Sequence, residues 1–427
     1  MIRVLAFTLC ALLAFGAHAQ VQSETDEYNG FKAVIDGLND NTFREFLDAL
    51  DERAFTDRIS GTRVLDLDAR EALAGSFNEA VEGLFIESFP RTRNPGEQGE
   101  ILGTIIAFEE ENGQGRAIVR FESKGFRFTY HSYDLLFGRG GRVTIVDWYD
   151  YYHGSWFSEQ IGNELVRAMP GKIPVAGILE MGNPSEAQLF QVGELLKTVR
   201  DSNWGRYFQI QEGLEDALRR EPFVVRQHVR VCAEVLATTV AMAAAANQES
   251  SSQDQVTEDE RMARSAMMKQ GMVQAAARLD AAFRELANRF PGDARYSLSL
   301  ADQYISQGLF AEAITEYDRF QEALGMTDGA SESVKATAAM ALGDFAKAQE
   351  YAKSATEAEP ALELSWWTLL RTRTAAGDFA GATEALTELE ERFGHLLIPQ
   401  KLRRDRFLRI LIDKPEYKAW RAQRDAA

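Results

Sequence analysis

Two side chains in the amino-terminal third of the chain have the types and spacing that could do acid–base chemistry. His131 and Asp150 fall in consecutive predicted strands, and the expected pairing places them diagonally across from each other on one face of a sheet. A carboxylate that orients an imidazole is a common catalytic unit, because imidazole exchanges protons near neutral pH and the carboxylate fixes its tautomer. The pattern places no serine, threonine or cysteine nucleophile beside the pair, so a face that packs against other parts of the protein is the competing interpretation.

The elements that would position this pair are strands that begin near residue 100. Runs of β-branched and aromatic residues lie at about 100–111, 115–123, 126–137 and 142–153, separated by Asn112-Gly113, Lys124-Gly125 and the glycine-rich segment 138–141. This pattern predicts a four-stranded antiparallel meander, since such dipeptides form two-residue hairpin turns. The turns would place Ile106 and Tyr130 opposite Val119, and the last loop would place Tyr149 opposite Tyr130.

Alternation along these strands separates two faces. One is almost wholly apolar and is expected to pack on helices; its members are Ile106, Phe108, Ala117, Val119, Phe121, Phe128, Tyr130, Tyr149 and Tyr151. The other carries His131 and Asp150 together with Arg120, Glu122, Arg127, Thr129, Tyr133, Trp148 and Tyr152. This second face predicts either the acid–base site or a surface that packs on the helical part of the chain or on a partner.

Helices are expected before the strands. Apolar residues recur at helical spacing from Phe31 to Leu38, a second short helix should follow the break at 39–41, and a longer helix is predicted at about 68–89, before Pro90. Helices followed by an antiparallel meander, over residues 30–155, resemble the cystatin-like and nuclear-transport-factor-2-like α+β folds. The resemblance implies a sheet that wraps around a helix and leaves a pocket. It implies no particular function, because these folds host both enzymes and inert binding modules.

A short block recurs in the carboxy-terminal half of the chain. The pattern Gly-x-Phe-Ala-x-Ala begins at Gly308, Gly343 and Gly377, at intervals of 35 and 34 residues. Glycine permits a tight turn between two helices, and alanine lets the helices cross closely. The blocks resemble the tetratricopeptide repeat, with clear repeats at about 294–328, 329–362 and 363–396. A related block at Gly271 suggests a degenerate unit before them.

The tetratricopeptide resemblance implies stacked helix pairs that bind a protein or peptide on a concave surface. The family's groove-lining positions fall in this sequence on Arg295, Asp302, Ser333, Thr337, Trp367 and Arg371. The match is irregular, since Glu332 and Ala339 stand at first-helix positions where the family has aromatic residues. The groove is therefore not expected to follow the family pattern closely.

These patterns predict an α+β domain followed by an all-α helical solenoid. The expected boundaries are a signal peptide at 1–19, the sheet domain at 28–160, a linker at 161–183, helices at 184–260, repeats at 261–396 and capping helices at 397–427. Within the helical part, the segment 224–246 is long and apolar, but Arg226, Arg230 and Glu234 interrupt it. It predicts a buried helix rather than a membrane span, and the polar stretch 247–260 predicts a flexible linker.

Residues 1–19 have the pattern of a secretory signal peptide. A basic start is followed by an apolar run at 4–15 and by small residues at Ala17 and Ala19, which predicts cleavage after Ala19 and a periplasmic or secreted location. Cleavage would leave Cys232 as a lone cysteine. It is expected to be buried, because it lies in an apolar helical pattern and an oxidising compartment disfavours an exposed thiol.

The formal charge of −18 argues against a nucleic-acid binder, because clusters of Lys and Arg bind backbone phosphates, and here 47 basic residues face 65 acidic ones. Residues 394–427 differ, with nine basic and four acidic side chains that could contact an anionic surface. The sequence predicts a secreted or periplasmic protein that binds or scaffolds a partner protein or peptide, with no cofactor and no metal. The alternatives are a hydrolase-type enzyme at His131 and Asp150, and a structural subunit of a cell-envelope assembly.

Overall fold

The computed structural model of the chain describes residues 25–40, 43–62, 101–123, 127–168, 183–252 and 258–426, together with Leu179 and Met181. The chain divides into two compact units, residues 21–293 and residues 294–427. The predicted signal peptide at 1–19 and the predicted helix at 68–89 lie outside the described residues.

The first unit combines helices with an antiparallel sheet. Its helices are α1 (Asp26–Asn39), α2 (Phe43–Ala49), α3 (Glu52–Thr62), α4 (Phe157–Ala168), α5 (Glu186–Arg200), α6 (Trp204–Glu212), α7 (Asp216–Arg219), α8 (Pro222–Ser252) and α9 (Glu258–Arg289). Its strands are β1 (Leu102–Glu111), β2 (Gln114–Ser123), β3 (Arg127–Phe137), β4 (Val143–Asp150) and β5 (Ser155–Trp156). Neighbouring strands pair antiparallel in chain order, as the meander predicts, with a two-residue fifth strand beyond the predicted four.

Local sequence explains where these elements begin and turn. The Thr25 hydroxyl accepts the backbone N–H of Tyr28 at 3.1 Å and so caps α1. Asn112 and Gly113 join β1 to β2 with φ values of 56° and 77°, the left-handed pair that a type I′ turn requires. The predicted turn at this dipeptide is confirmed.

The pairing of β2 with β3 differs from the prediction by one residue. Ser123 pairs with Arg127, so three residues rather than two connect the strands. Val119 consequently lies opposite His131 instead of Tyr130. Side chains alternate between the two faces of a sheet, so a shift of one residue in the pairing changes which side chains of β2 lie on the same face as those of β3. The length of this loop therefore decides which residues share a face.

Two irregularities shift the other strand pairs. A bulge at Ile106 places Ile105 opposite Val119, where the sequence predicted Ile106. Between β3 and β4, the pairing starts one residue from the predicted register, at Phe137 and Val143, and a second irregularity after Asp134 adds another residue, so Tyr149 lies opposite Ser132. Both predicted pairings are therefore wrong, because a bulge adds a residue that the alternation of apolar residues does not reveal.

The helix-facing side of the sheet consequently contains residues from both predicted faces. Val119 shares this side with His131, Tyr133, Trp148 and Asp150. Aromatic contacts join it to the helices, with ring centroids 5.4 Å apart for Phe31 and Tyr133, 5.6 Å for Phe46 and Trp148, and 5.7 Å for Phe55 and Trp148. The opposite side carries Arg120, Phe128, Tyr130, Ser132 and Tyr151, and these side chains are also buried.

The core of the sheet continues into the helices that follow it. Buried side chains of α5, α6 and α8 belong to the same cluster as Phe31 and Trp148: Val192, Leu195, Leu196, Val199, Tyr207, Phe223, Val224 and Val231. The first residues of the predicted linker at 161–183 form part of α4. The division between the two units therefore comes after Asp293, much further along the chain than the predicted linker.

Helices α8 and α9 form a long antiparallel hairpin of 31 and 32 residues. Thr239 faces Gly271, while His228 interacts with Glu285, so the two helices run in opposite directions. Much of the predicted linker at 247–260 is helical, since α8 continues to Ser252 and α9 starts at Glu258. Gly271 lies inside the continuous helix α9, so it does not form the turn between two helices that the suggested degenerate unit would have there.

Burial changes along α8. Side chains near its start, such as Val225 and Val231, are buried, whereas Val240 and Met242 are exposed. The prediction of a buried helix is therefore right for the first half and wrong for the second. Among the described residues, Pro222–Ala245 is long and apolar enough, by length and composition alone, to cross a membrane, and 17% of an apolar 18-residue window within it is buried.

The second unit contains three consecutive helix pairs: α10 (Ser297–Gln307) with α11 (Phe310–Leu324), α12 (Gly329–Ala341) with α13 (Phe345–Ala358), and α14 (Glu363–Ala376) with α15 (Phe379–Phe393). The turn inside each pair holds the glycine of the repeated block, and Gly308, Gly343 and Gly377 have φ values of 75°, 79° and 81°. This left-handed conformation is costly for a residue with a β-carbon, which explains why glycine recurs there.

A closing segment follows the last pair. It consists of α16 (Pro399–Leu402), a 3-10 helix (Leu408–Asp413) and α17 (Pro415–Ala426). Leu402, Leu408, Leu411 and Trp420 pack into the core of the final helix pair. The predicted capping helices are present, although the first is a single turn rather than a long helix.

Candidate functional site

His131 and Asp150 lie directly opposite each other on β3 and β4, closer than the predicted diagonal placement. Their side chains are enclosed, with the residues only 1% and 3% exposed. His131, Tyr133, Trp148 and Asp150 share one side of the sheet, as the sequence predicts, and this side packs on helices, as the competing interpretation of that face expects. The pair is therefore part of the interior of the first unit.

A turn after β4 holds the Asp150 carboxylate. Its Oδ1 accepts the backbone N–H groups of Tyr152 at 2.8 Å and His153 at 3.1 Å, and its Oδ2 lies 2.5 Å from Nδ1 of His153. Gly154, with φ 63°, donates its N–H to the Asp150 carbonyl at 2.8 Å and closes the turn. Donors on both oxygens stabilise a charged carboxylate inside a protein.

His131 is packed as a neutral side chain. Its Nε2 lies 3.7 Å from Oδ2 of Asp150, and its Nδ1 is 3.1 Å from the Tyr133 hydroxyl. The rings of Phe121 and Trp148 flank it at 4.9 and 6.2 Å between centroids. Burial lowers the pKa of His131 to about 4, although the charge of Asp150 acts in the opposite direction. This imidazole is therefore uncharged near neutral pH.

His153 completes the cluster, and the sequence reasoning missed it. Its side chain is 49% exposed, so the ring reaches the surface while Nδ1 is directed toward Asp150. Burial of the inner part lowers the pKa of His153, but the charge and hydrogen bond of Asp150 outweigh burial and raise it overall, with Arg230 opposing them. Burial raises the pKa of Asp150, but His153 and His131 outweigh it and hold that pKa well below its usual range.

This arrangement assigns different roles to the two histidines. A carboxylate bonded to Nδ1 of a half-exposed imidazole can orient His153 for proton exchange at Nε2. His131 is enclosed and supports Asp150 from the interior. The pattern Asp-x-x-His directly after a strand was the available signal, since a turn brings residues three apart together. Within the described segments, no group of three His, Cys, Asp or Glu side chains is arranged to hold a metal ion.

The two histidines should have opposite effects on the pH dependence of stability. For His131 the folded-state pKa of about 4 lies below the ordinary 6.5, so its stabilising contribution is present above pH 6.5 and is lost as the pH falls toward 4. The difference in unfolding free energy between the wild type and His131→Phe should shrink by about 2 kcal/mol between roughly pH 7 and pH 5. Urea unfolding across this range measures it. A constant difference would contradict the neutral, enclosed state of His131.

For His153 the folded-state pKa is raised, so its contribution is present below pH 6.5 and is lost as the pH rises through the folded value. The variant His153→Gln should therefore differ most from the wild type at and below pH 6.5. It is the matched control for His131→Phe, because the two variants change stability in different pH windows.

Cys232 is a buried free thiol on α8, so its predicted burial is confirmed. Its Sγ lies 3.9 Å from Nε2 of His228. Burial raises the pKa of the thiol to about 11 and lowers the pKa of His228. Both groups are neutral near pH 7, so this pair lacks the thiolate and imidazolium charges of a cysteine nucleophile.

The first two predicted groove residues make contacts within their own helix pair. Arg295 lies in a short 3-10 turn, with its guanidinium 5.4 Å from the ring centre of Tyr296. Asp302 on α10 accepts the hydroxyl of Tyr317 on α11 at 2.7 Å. Both side chains remain partly exposed.

The next two, on α12, have different surroundings. Ser333 is buried; it donates to the Gly329 carbonyl at 2.8 Å and lies 3.4 Å from the Ser365 hydroxyl on α14. Ser333 is thus a packing residue between helices in this structure. Thr337, one turn later, is exposed and donates to the Ser333 carbonyl at 3.0 Å.

The last two, on α14, contact each other and the closing segment. The indole N–H of Trp367 donates to Glu363 at 2.8 Å, and the Arg371 guanidinium lies 6.0 Å from the Trp367 ring centre. The Trp367 ring also meets His395 edge-on at 5.3 Å. Arg371 Nε donates to Asp405 at 2.7 Å, so Arg371 links α14 to the closing segment.

A buried charged network connects α11 with α12. Glu332 lies 2.5 Å from Nζ of Lys335. Lys335 also pairs with Asp318 at 2.7 Å and lies 4.4 Å from the ring centre of Tyr351, while Gln321 donates to Glu332 at 2.8 Å. Burial lowers the pKa of Lys335, but Asp318 and Glu332 outweigh it and raise the pKa overall. The network therefore keeps the buried Lys335 charged, with a carboxylate on each side of it.

The two units of the chain differ in architecture. One unit packs helices on an antiparallel sheet around an enclosed Asp–His cluster, and the other consists of helix pairs joined by left-handed glycines. No family model and no curated protein matches this chain. The function must therefore be inferred from the residues themselves.

Proposed function

We propose that this protein is a secreted or periplasmic binding protein whose helix pairs form a tetratricopeptide-like solenoid that holds a partner protein or peptide. The observation that carries the proposal is the same left-handed glycine turn repeated in three consecutive helix pairs at a period of 34 to 35 residues. Repeats of this kind cannot bury their apolar faces alone, so they stack and leave an extended surface suited to binding chains.

The contacts of the six predicted groove positions refine where a partner would bind. Ser333 is buried, and Arg371 is already paired with Asp405. Thr337 is exposed, and Trp367 is partly exposed. The proposed groove is therefore centred on the exposed side of α12 and the start of α14, and Arg371 contributes by positioning the closing segment.

Replacing Thr337 with arginine should weaken partner binding about tenfold, because a long cation would occupy the proposed groove. The matched control is Thr315→Arg on α11. Thr315 is also exposed and makes the same bond to the carbonyl four residues before it, at 3.1 Å to Ala311. Binding is measured with a partner first identified by affinity capture with the mature protein. If Thr337→Arg and Thr315→Arg bound the partner with equal affinity, the proposed groove would be excluded as the binding surface.

A second candidate function is a structural subunit built from several copies of this chain. The α8–α9 hairpin favours it, because its outer half exposes apolar side chains on both helices: Val240, Met242, Met262, Met267 and Val273. Residues 235–248 contain no charged side chain. Exposed apolar patches of this kind usually mark an interaction surface.

Self-association through the hairpin predicts a molar mass that rises with protein concentration. The double variant Met242→Glu/Met267→Glu should be monomeric, because two buried carboxylates would be costly in the interface. The control is Phe190→Glu on α5, since Phe190 and Met267 are both 69% exposed. Light scattering with gel filtration measures the mass. A wild-type protein that is monomeric at all concentrations would exclude this function.

A further inference from the structure

The closing segment of the second unit presents an unusual group of cations. The exposed basic side chains within nine residues are Lys401, Arg403, Arg404, Arg406 and Arg409, which we call the cap cations. Within the described part of the chain, none of them pairs with a carboxylate. Arg406 lies over the ring of its neighbour Phe407 at 4.5 Å.

A shortage of acids does not explain this lack of pairing. Residues 294–427 contain 21 acidic and 17 basic side chains. Several other cations in the unit have acidic partners: Arg373 with Glu384 at 3.0 Å, Arg392 with Glu388 at 3.0 Å, and Arg424 with Glu391 at 2.7 Å. The cap cations are therefore a local excess of positive charge on an otherwise acidic unit.

The segment that carries them is firmly held. Leu402, Leu408 and Leu411 are buried in the core of the last helix pair. Asp405, in the middle of the cations, pairs with Arg371 at 2.7 Å and accepts the backbone N–H of Phe407 at 2.9 Å. The apolar side chains and Asp405 face inward, so the cap cations are presented on the outward side of a fixed scaffold.

Apolar side chains accompany the charges. Ile410 is 45% exposed next to Arg409, and Leu396 is 57% exposed just before α16. Cations with exposed aliphatic side chains are typical of protein surfaces that lie at a membrane interface, where the charges meet headgroups and the aliphatic groups reach the acyl boundary.

We propose that the cap cations and Ile410 bind the surface of a membrane that contains anionic phospholipid. Four of the five cations are arginines, whose planar guanidinium donates two parallel hydrogen bonds to a phosphate. Each basic residue close to an anionic membrane strengthens binding about fivefold. A cluster of five basic residues can therefore hold a protein at the membrane surface without a membrane-spanning segment. The exposed Ile410 favours a lipid surface over a soluble polyanion, which offers nothing apolar to contact.

Flotation with lipid vesicles tests this proposal on the full mature chain. The protein should float with vesicles of equimolar phosphatidylglycerol and phosphatidylcholine at low salt, remain in solution with pure phosphatidylcholine, and be released by high salt. The variant Arg403→Gln/Arg404→Gln should bind the anionic vesicles about 25-fold more weakly. Ile410→Ser should also weaken binding, and the remaining binding should be more sensitive to salt.

The control is Lys347→Gln/Lys353→Gln on α13, which removes the same charge from another exposed face of the same unit. It should bind as the wild type does. If both double variants weakened binding equally, the effect would come from net charge alone and the assignment to the cap cations would be overturned. The assignment would also be overturned if the protein bound neutral vesicles as strongly as anionic ones. The same holds if it bound soluble polyglutamate or polyphosphate as strongly as anionic vesicles.

Discussion

Replacing Asp150 with alanine should lower the free energy of unfolding by about 4 kcal/mol. The carboxylate is enclosed and accepts two backbone N–H groups and the Nδ1 donor of His153, with His131 nearby. Removing it leaves those donors without an acceptor in a site that water does not readily enter. Urea unfolding of the variant near neutral pH, followed by circular dichroism, measures the loss.

The control for Asp150 is Asp36→Ala on α1. Asp36 also pairs with a cation, Lys32, but both side chains are about half exposed. An exposed pair of this kind contributes less than about 1 kcal/mol. If Asp150→Ala were as mild as Asp36→Ala, the enclosed cluster would not be the stabilising feature that its geometry indicates.

Replacing Lys335 with methionine should destabilise the second unit by about 3 kcal/mol. Methionine fills a similar volume but leaves the carboxylate of Glu332 buried without its cation. Gln321 can satisfy only part of that carboxylate, and Tyr351 loses the cation above its ring. In thermal or urea unfolding of the full chain, the unfolding transition of the second unit should occur at a lower temperature or a lower urea concentration than in the wild type.

Lys353→Met is the matched control on α13. Lys353 pairs with Glu357 one turn away at 3.5 Å, with both side chains largely exposed, so the same substitution should change stability by less than about 0.5 kcal/mol. If Lys335→Met and Lys353→Met lost similar amounts of unfolding free energy, the buried Glu332–Lys335 pair would stabilise the unit no more than an exposed pair does.

Local signals in the sequence predicted several elements well. The Asn112-Gly113 turn has the expected left-handed pair, and Gly308, Gly343 and Gly377 end first helices as the repeated block indicates. Each of these depends on the conformation of one or two residues, which glycine or asparagine largely determines. The burial of Cys232 was likewise readable, because it depends on helical periodicity alone.

Register and long-range contacts could not be read in the same way. One extra residue in the loop between β2 and β3, together with the bulge at Ile106, decides which side chains face the helices, and alternation alone does not reveal either. His131 therefore shares the helix-facing side with Val119 and lies in the interior. The pairing of Arg371 with Asp405 joins residues 34 positions apart, and no local pattern signals it.

His153 shows how a site can be half predicted. The sequence pattern indicates Asp150 as one member of the pair, but it couples Asp150 to His131 across the sheet, whereas the hydrogen bond joins Asp150 to His153, three residues along the chain. Both histidines lie near the same carboxylate oxygen, and exposure distinguishes their roles. Exposure is a property of the folded packing, so the sequence alone could not choose between them.

The continuous core between the sheet and helices α5 to α8 has a consequence for how this chain unfolds. Because Phe31, Trp148, Val192 and Val231 belong to one apolar cluster, the described elements from α1 to the first half of α8 should act as a single cooperative folding unit. A fragment that ends between residues 161 and 183 would leave the sheet without the helices that cover part of its core, and it should aggregate or remain partly molten. Hydrogen exchange should accordingly give amides of β3 and of α5 the same opening free energy, even though the two elements are far apart along the chain.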